Sequence, residues 1–247
     1  LPKNFVLEER IERYRHAIEA DPRHWRGRWA QACAPAGSAP FREVRLDLGC
    51  GKGQFSCASA RLEPDVLFVA MDSEPVCVAY AAQLVCESGL GNVVVVPGDG
   101  MRVREYFSPG ELSRVHLNFP TPFPRKREAH RRMACMERLM DFRGVLADDG
   151  EVCLRTDSQP LFDFMLTQVP LAGYEARLSA QGASVYALAA VPGPAPENPV
   201  QTAELSLAAY LPRDLESLQR MAYAPHGMQA TVENYLNQAR RSRTGRR

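Results

Sequence analysis

A chain of 247 residues with 45% hydrophobic and 24% charged residues can bury a full core, and suits one sizeable α/β domain with an N-terminal extension better than two independent domains. Its formal net charge of +1 excludes a globally cationic surface, so any nucleic-acid partner must be held by local basic patches. The longest uncharged stretch, Leu178 to Pro196, is broken by Ser, Gln, Gly and Pro, and seven cysteines include no CxxC pair, so the expectation is a cytoplasmic protein with no membrane segment, no signal peptide and reduced thiols, Cys57, Cys77, Cys86 and Cys153 lying among apolar residues.

In chain order, Val6 to Ala20 is predicted as a charged helix stopped by Asp21-Pro22, and His24 to Cys33 as a short second helix running into a Pro/Gly/Ala/Ser linker at Ala34 to Pro40. From Val44 onward, apolar runs at 44–48, 66–71, 92–96, 113–118 and 151–155 alternate with helical stretches at 53–62, 75–88, 131–146 and 159–168. Such alternation predicts a doubly wound, mostly parallel sheet. After Tyr174 the pattern loosens: two strand candidates flank a Pro-rich loop at Val191 to Pro199, followed by helical stretches and a basic end, Arg240 to Arg247.

Chemistry concentrates at predicted strand ends. Leu46-Asp47-Leu48-Gly49-Cys50-Gly51-Lys52-Gly53 places close glycines where the first strand meets the first helix, and Asp72 ends the second strand. Glycines let backbone approach a ligand, and a second-strand carboxylate can accept both ribose hydroxyls of an adenosine. A dinucleotide fingerprint needs its third glycine at position 54, which is Gln54, so NAD is disfavoured. Asp47 can neutralise the amino group of an aminoacyl tail, as S-adenosylmethionine requires and a pyrophosphate would resist. Asp99, in Pro97-Gly98-Asp99-Gly100, can accept from the adenine amino group. The competing interpretation is a βα turn with incidental acids.

After the fourth strand comes Leu117-Asn118-Phe119-Pro120-Thr121-Pro122-Phe123-Pro124-Arg125-Lys126-Arg127-Glu128-Ala129-His130-Arg131-Arg132. In an open α/β sheet this loop is expected to face the same crevice as the glycine loop, where basic residues and aromatics suit phosphates and an extruded base. A solvated helix start competes, though prolines at 120, 122 and 124 argue for an extended, rigid segment. Asp157, ending the fifth strand, can accept from guanine N1 and N2, and a helix N-cap explains it almost as well.

These stretches, together with His24-Trp25-Arg26-Gly27-Arg28-Trp29-Ala30, Glu87-Ser88-Gly89-Leu90-Gly91-Asn92-Val93 and Arg155-Thr156-Asp157, resemble the bacterial tRNA (guanine-N7)-methyltransferase family over residues 21–165. The resemblance implies a Rossmann-like class I S-adenosylmethionine methyltransferase fold over 44–212, with a helical extension at 1–43 and a helical C-terminal extension with a basic tail at 213–247. It implies S-adenosylmethionine as cofactor, held by Asp47, Gly49, Gly51, Gly53, Asp72 and Asp99, and tRNA as partner, a variable-loop guanine being contacted by Arg125, Arg131 and Asp157. No metal is implied, and the oligomeric state is left open.

Guanine N7 carries a free lone pair, so methyl transfer to it needs no general base and the main demand is positioning. The chain departs from the family where it matters for charge: Thr121 stands where the family has Asp, Phe123 replaces its Trp, and Glu128 replaces a His. Thr121 cannot stabilise the positive charge the ring acquires, and Glu128 is the nearest acid in sequence to do so. Asn118 is expected to orient the base, although a turn-forming Asn is the simpler account. The family's C-terminal T-x-x-E motif has two candidate counterparts, Tyr174-Glu175 and Thr202-Ala203-Glu204. Two other outcomes stay open from sequence: an S-adenosylmethionine- and RNA-binding protein with weakened catalysis, and a methyltransferase of the same fold with another acceptor.

Overall fold

The computed structural model describes residues 5–31, 40–179, 185–220 and 228–244, and its central strands lie where the apolar runs are longest. β1 (Glu43–Leu48), β2 (Val66–Asp72), β3 (Val93–Pro97) and β4 (Leu112–Asn118) are separated by helices α2 (Gln54–Leu62), α3 (Pro75–Ser88) and the short α4 (Val103–Tyr106); a first helix, α1 (Leu7–Arg13), precedes them. α5 (Met136–Arg143), β5 (Leu146–Thr156), α6 (Gln159–Leu171), β6 (Tyr174–Leu178), β7 (Tyr186–Pro192), α7 (Leu215–Arg220) and α8 (Gln229–Thr244) follow. The strand order is β3-β2-β1-β4-β5-β7-β6, with β1 parallel to β2 and β4, β2 parallel to β3, and β6 antiparallel to β7. This is the expected doubly wound α/β sheet.

Residues Val66 to Met71 and Val93 to Val96 are at most 1% exposed, as strands covered on both faces must be. α3 starts on Pro75, whose fixed φ suits a first helical turn, and stops at Gly89 in the left-handed conformation with φ +63°. By internal contacts the chain divides into two compact units, Leu1–Asn118 with Met140–Cys153 and Phe119–Leu139 with Leu154–Arg247.

Several predicted elements differ. The helix foreseen to Ala20 ends at Arg13; a 3-10 turn follows, and Ile18 then makes a parallel bridge to Val95 while Glu19 N–H donates to the Val95 carbonyl at 2.8 Å. The free edge of β3 thus takes backbone that a helix would have kept for itself. The second helix is two 3-10 turns, Pro22–Trp25 and Trp29–Gln31, parted by Gly27 at φ +81°, and the predicted linker falls outside the described residues apart from Pro40. β5 begins five residues early, running through Asp148-Asp149-Gly150, where the glycine leaves room for the Leu112 carbonyl oxygen of β4, 3.1 Å from where a Cβ would stand. The helix expected over 131–146 shortens to Met136–Arg143, since Arg132 is extended at ψ 129°. Both late strands precede the Pro-rich loop and pair with each other; prolines beyond Val191 lack the N–H a ladder needs, and only a 3-10 turn, Leu207–Tyr210, forms before α7.

Among the described residues six cysteines are free, but only Cys50, Cys57 and Cys135 are buried; Cys77, Cys86 and Cys153 are partly exposed. No helix of the described residues is long and apolar enough to cross a membrane.

The N-terminal extension is part of the core. Ala17 and Trp29 are 0% exposed, the Trp29 ring lies 5.4 Å from that of Phe107, and its Nε1–H donates to the Tyr106 carbonyl at 2.9 Å. Trp29→Ala is therefore expected to lower the unfolding free energy by about 3 to 5 kcal/mol in urea titration, the usual cost of emptying a large aromatic site. A loss below about 1 kcal/mol would show the extension to be a dispensable appendage.

Candidate cofactor cradle and substrate loop

The sheet reverses its winding between β1 and β4, the position where open α/β sheets hold ligands beyond the strands' carboxyl ends. Asp47, near the end of β1, is 1% exposed. Its carboxylate accepts the Ser56 hydroxyl at 2.6 Å and the Asn118 side-chain N–H at 3.2 Å, from the first turn of α2 and the last residue of β4. Both partners are neutral. Burial pushes the Asp47 carboxyl above its usual range, the nearby Asp72 charge adds to this, and the two hydrogen bonds oppose it.

The loop beyond β1 turns on three glycines, Gly49, Gly51 and Gly53, at φ +76°, +56° and +79°. These are left-handed conformations that a side chain would strain. Gly49 and Cys50 N–H both donate to the Met71 carbonyl, at 2.8 and 3.0 Å, and Gly51 N–H donates to Asp72 Oδ2 at 2.9 Å. The other Asp72 oxygen accepts Glu74 N–H at 2.9 Å. Asp72 thus fixes the middle of the loop while keeping lone pairs for a ligand. Gly98 N–H donates to the Asp72 carbonyl at 3.0 Å, and exposed Asp99 caps the next turn by accepting Met101 N–H at 2.9 Å. Six predicted cradle residues therefore stand at the ends of three adjacent strands.

The donor set fits S-adenosylmethionine. A Cβ at Gly49 or Gly51 would meet no protein atom within 4 Å, leaving that face of the loop to a ligand. Asp47 is a buried charge held only by neutral dipoles, which an ammonium group would compensate; Asp72 offers acceptors to ribose hydroxyls. A Cβ at Gly53 would instead lie 3.2 Å from that of Ala81, so this glycine serves loop–helix packing.

The second unit holds the loop over residues 119–132. Phe119 and Phe123 are left-handed at φ 50° and 44°, unusual for residues with bulky side chains. Phe119 N–H donates to the Arg155 carbonyl at 2.7 Å, and its ring is 52% exposed. Thr121, Arg125, Lys126, Arg127, His130 and Arg131 are exposed and Glu128 is partly buried, in a 3-10 turn over Lys126–Arg131. The Arg131 guanidinium lies 4.2 Å from the Phe123 ring centroid. Arg132 does not belong with these cations: it is 0% exposed and binds backbone carbonyls, so it cannot serve as the phosphate contact that the basic run suggests.

The alternative account of Asp157 is also overturned. Ser158 caps α6 by accepting Leu161 N–H at 3.3 Å, and Ser158 N–H donates to Thr156 Oγ1 at 3.0 Å. The Asp157 carboxylate has no protein partner among the described residues. Asn118 proves to be bound to Asp47 through its amide nitrogen, leaving its amide oxygen without a protein donor among the described residues. Sequence reasoning missed Ser56; the signal was a hydroxyl in the first turn after the glycine loop, facing back to β1.

Because burial raises the Asp47 carboxyl, the folded chain takes up this proton at higher pH than the unfolded chain. The charged form costs stability, a cost absent below the ordinary carboxylate range and complete once pH exceeds the raised value. Asp47→Asn should thus raise Tm at neutral pH and flatten its decline with rising pH just above that range. A Tm lowered by several degrees at neutral pH would show that Asp47 is compensated without a ligand.

A family model described as "Putative methyltransferase" matches residues 42–184. The chain is 32% identical to a tRNA (guanine-N(7)-)-methyltransferase of Geobacillus kaustophilus over 167 residues, covering 68% of this chain and 75% of the relative. It is 32% identical over 159 residues to the enzyme of that name from Lactococcus lactis subsp. cremoris, covering 64% and 70%. Among solved structures, a variant of the 16S rRNA (adenine(1408)-N(1))-methyltransferase from Catenulisporales acidiphilia superposes with a TM-score of 0.53 at 17% identity, over 72% of this chain and 94% of that one, a likeness of fold. Extent and identity of the sequence match, on a glycine loop with its three acids in place, assign this chain to the tRNA (guanine-N7)-methyltransferase family.

Proposed function

We propose that this chain transfers a methyl group from S-adenosylmethionine to N7 of a guanine in the variable loop of tRNA. The observation that carries the reading is the cradle, in which Asp47, Asp72 and Asp99 surround an open-faced glycine loop, in a chain matching a tRNA (guanine-N(7)-)-methyltransferase over 75% of that relative. S-adenosylmethionine, when bound, supplies an electrophilic methyl on a sulfonium. Asp47 receives the ammonium of its aminoacyl tail, Asp72 the ribose hydroxyls and Asp99 the adenine amino group. Asn118 holds Asp47 through its nitrogen and offers its oxygen to the base. Asp157, without a protein partner among the described residues, accepts from guanine N1 and N2, while Arg125 and Arg131 hold phosphates.

No residue needs to remove a proton, because N7 attacks with its lone pair. Correct placement can supply roughly 7 to 11 kcal/mol of the barrier. The remaining demand is negative charge near a ring that becomes cationic. Thr121 supplies none, which leaves Glu128, the expected substitute, and Glu204. Glu204 is exposed, its carboxylate accepts Ser206 N–H at 2.8 Å, and the segment following it is tied to the loop by Leu207 N–H donating to the Pro124 carbonyl at 3.0 Å. Glu128, by contrast, lies in the field of Arg132, whose charge it helps to balance.

Mass spectrometry of tRNA treated with the protein and methyl-labelled cofactor should reveal 7-methylguanosine; a different methylated nucleoside, or none, overturns the reading. In the same system Asp72→Ala should weaken cofactor binding by about 1 to 3 kcal/mol in calorimetry, through loss of charge-assisted ribose contacts. Unchanged affinity would remove Asp72 from the site.

Restoring the acid should raise turnover. If the missing charge is worth about 2 to 3 kcal/mol at the transition state, Thr121→Asp gains on the order of 30- to 150-fold. Of Glu128→Gln and Glu204→Gln, the variant that lowers turnover in the native background but much less alongside Thr121→Asp identifies the residue now carrying that role. No gain from Thr121→Asp would mean that position 121 does not face the developing charge.

A further inference from the structure

An arginine with no exposed surface must find partners for a forked, permanently charged group, and among the described residues Arg132 hydrogen-bonds to carbonyls and to no carboxylate. Its Nε–H donates to the carbonyls of Pro122 at 3.0 Å and Phe123 at 3.1 Å, one Nη donates to Phe123 at 2.6 Å, and the other donates to Leu205 at 2.7 Å. The guanidinium also lies 4.6 Å from the Phe164 ring centroid. Burial lowers its pKa to about 10, still charged at neutral pH, with Glu128 among the groups opposing the shift.

The carbonyls it holds flank a strained point. Phe123 is left-handed, a conformation that persists for a bulky residue only where the surroundings over-determine it. Arg132 binds the carbonyls on both sides of the Phe123 Cα, and the exposed Arg131 rests on the Phe123 ring. Adjacent arginines therefore divide the work: one faces solvent, while the other fixes the turn on which the first is propped. The link to Leu205 ties this turn to the segment carrying Glu204.

We propose that Arg132 is a positioning residue for methyl transfer, its fork clamping the left-handed turn at Phe123 to Leu205 and so setting where Thr121, Arg125, Arg131 and Glu204 stand. The proposal rests on the function proposed above. A lysine cannot replace the fork, since a single ammonium offers no planar donor set spanning three carbonyls.

The test compares Arg132→Lys, Arg132→Met and Arg131→Glu with the native full chain. For Arg132→Lys, Tm is expected to stay within a few degrees, and kcat for tRNA methylation to fall by about 10- to 100-fold, as misplaced reacting groups require. KM for tRNA should change less than kcat, and the salt dependence of tRNA binding, set by charges that the variant's lysine and Arg125 and Arg131 all keep, should hardly change, whereas Arg131→Glu should flatten that dependence. Amide hydrogen exchange should quicken at 119–127 and 204–210 in Arg132→Lys and stay native at 46–56. Arg132→Met should reproduce the exchange pattern more strongly. Native kcat with native loop exchange in Arg132→Lys overturns the proposal. A flattened salt dependence in that variant overturns it in favour of a phosphate contact, and global unfolding in favour of a fold-wide role. If the native chain makes no 7-methylguanosine, the proposed function fails separately; the exchange pattern then judges the clamp, and unchanged exchange at 119–127 overturns it.

Discussion

Asp47 is a carboxylate kept out of water at the end of β1, where a parallel sheet reverses its winding, and no cation among the described residues reaches it. What reaches it is a hydroxyl from α2 and an amide from β4. These two bonds draw three elements onto one atom group and hold the acid ready, but they leave its charge unneutralised. A buried charge in that state is costly on its own, and a cationic group placed beside it would relieve the cost. The glycine loop follows from it. Its three left-handed residues carry the backbone away from Asp47 and back to Asp72, which receives the central amide.

The second unit repeats the same electrostatic arrangement with opposite sign. Arg132 is charged and fully buried, and its partners are carbonyl dipoles and an aromatic face in place of a carboxylate. Dipoles fix the geometry of the loop, and Glu128 balances part of the charge through its field. The Asp47 and Arg132 sites thus share a principle: each buried charge is oriented by neutral hydrogen-bonding groups.

Family membership sharpens the significance of the departures. The chain keeps the acids of the cradle and the Asp157 carboxylate, but lacks the loop acid at position 121 and places Glu128 within the field of Arg132. Under the proposed function, loss of one charge from a site whose chief task is positioning is expected to lower turnover, with placement still supplying its share of the barrier reduction.

The sequence by itself determined the sheet's central strands, helices α2, α3 and α6, and the glycine loop with its three acids. These are local properties: unbroken apolar runs select buried parallel strands, and the glycines at 49, 51 and 53 permit the left-handed backbone found there. Only the tertiary structure decided which of two neighbouring arginines faces solvent, because Arg132 is held by a carbonyl 73 residues away that no window of sequence contains. It alone gave the cap of α6 to Ser158 and left Asp157 uncommitted, bound Asn118 to Asp47, and converted the end of the first predicted helix into a bridge along β3. In each case the deciding partner lay in another element or in competition among adjacent side chains. Hydrogen-bond satisfaction is settled over the whole fold, whereas backbone preference is settled residue by residue.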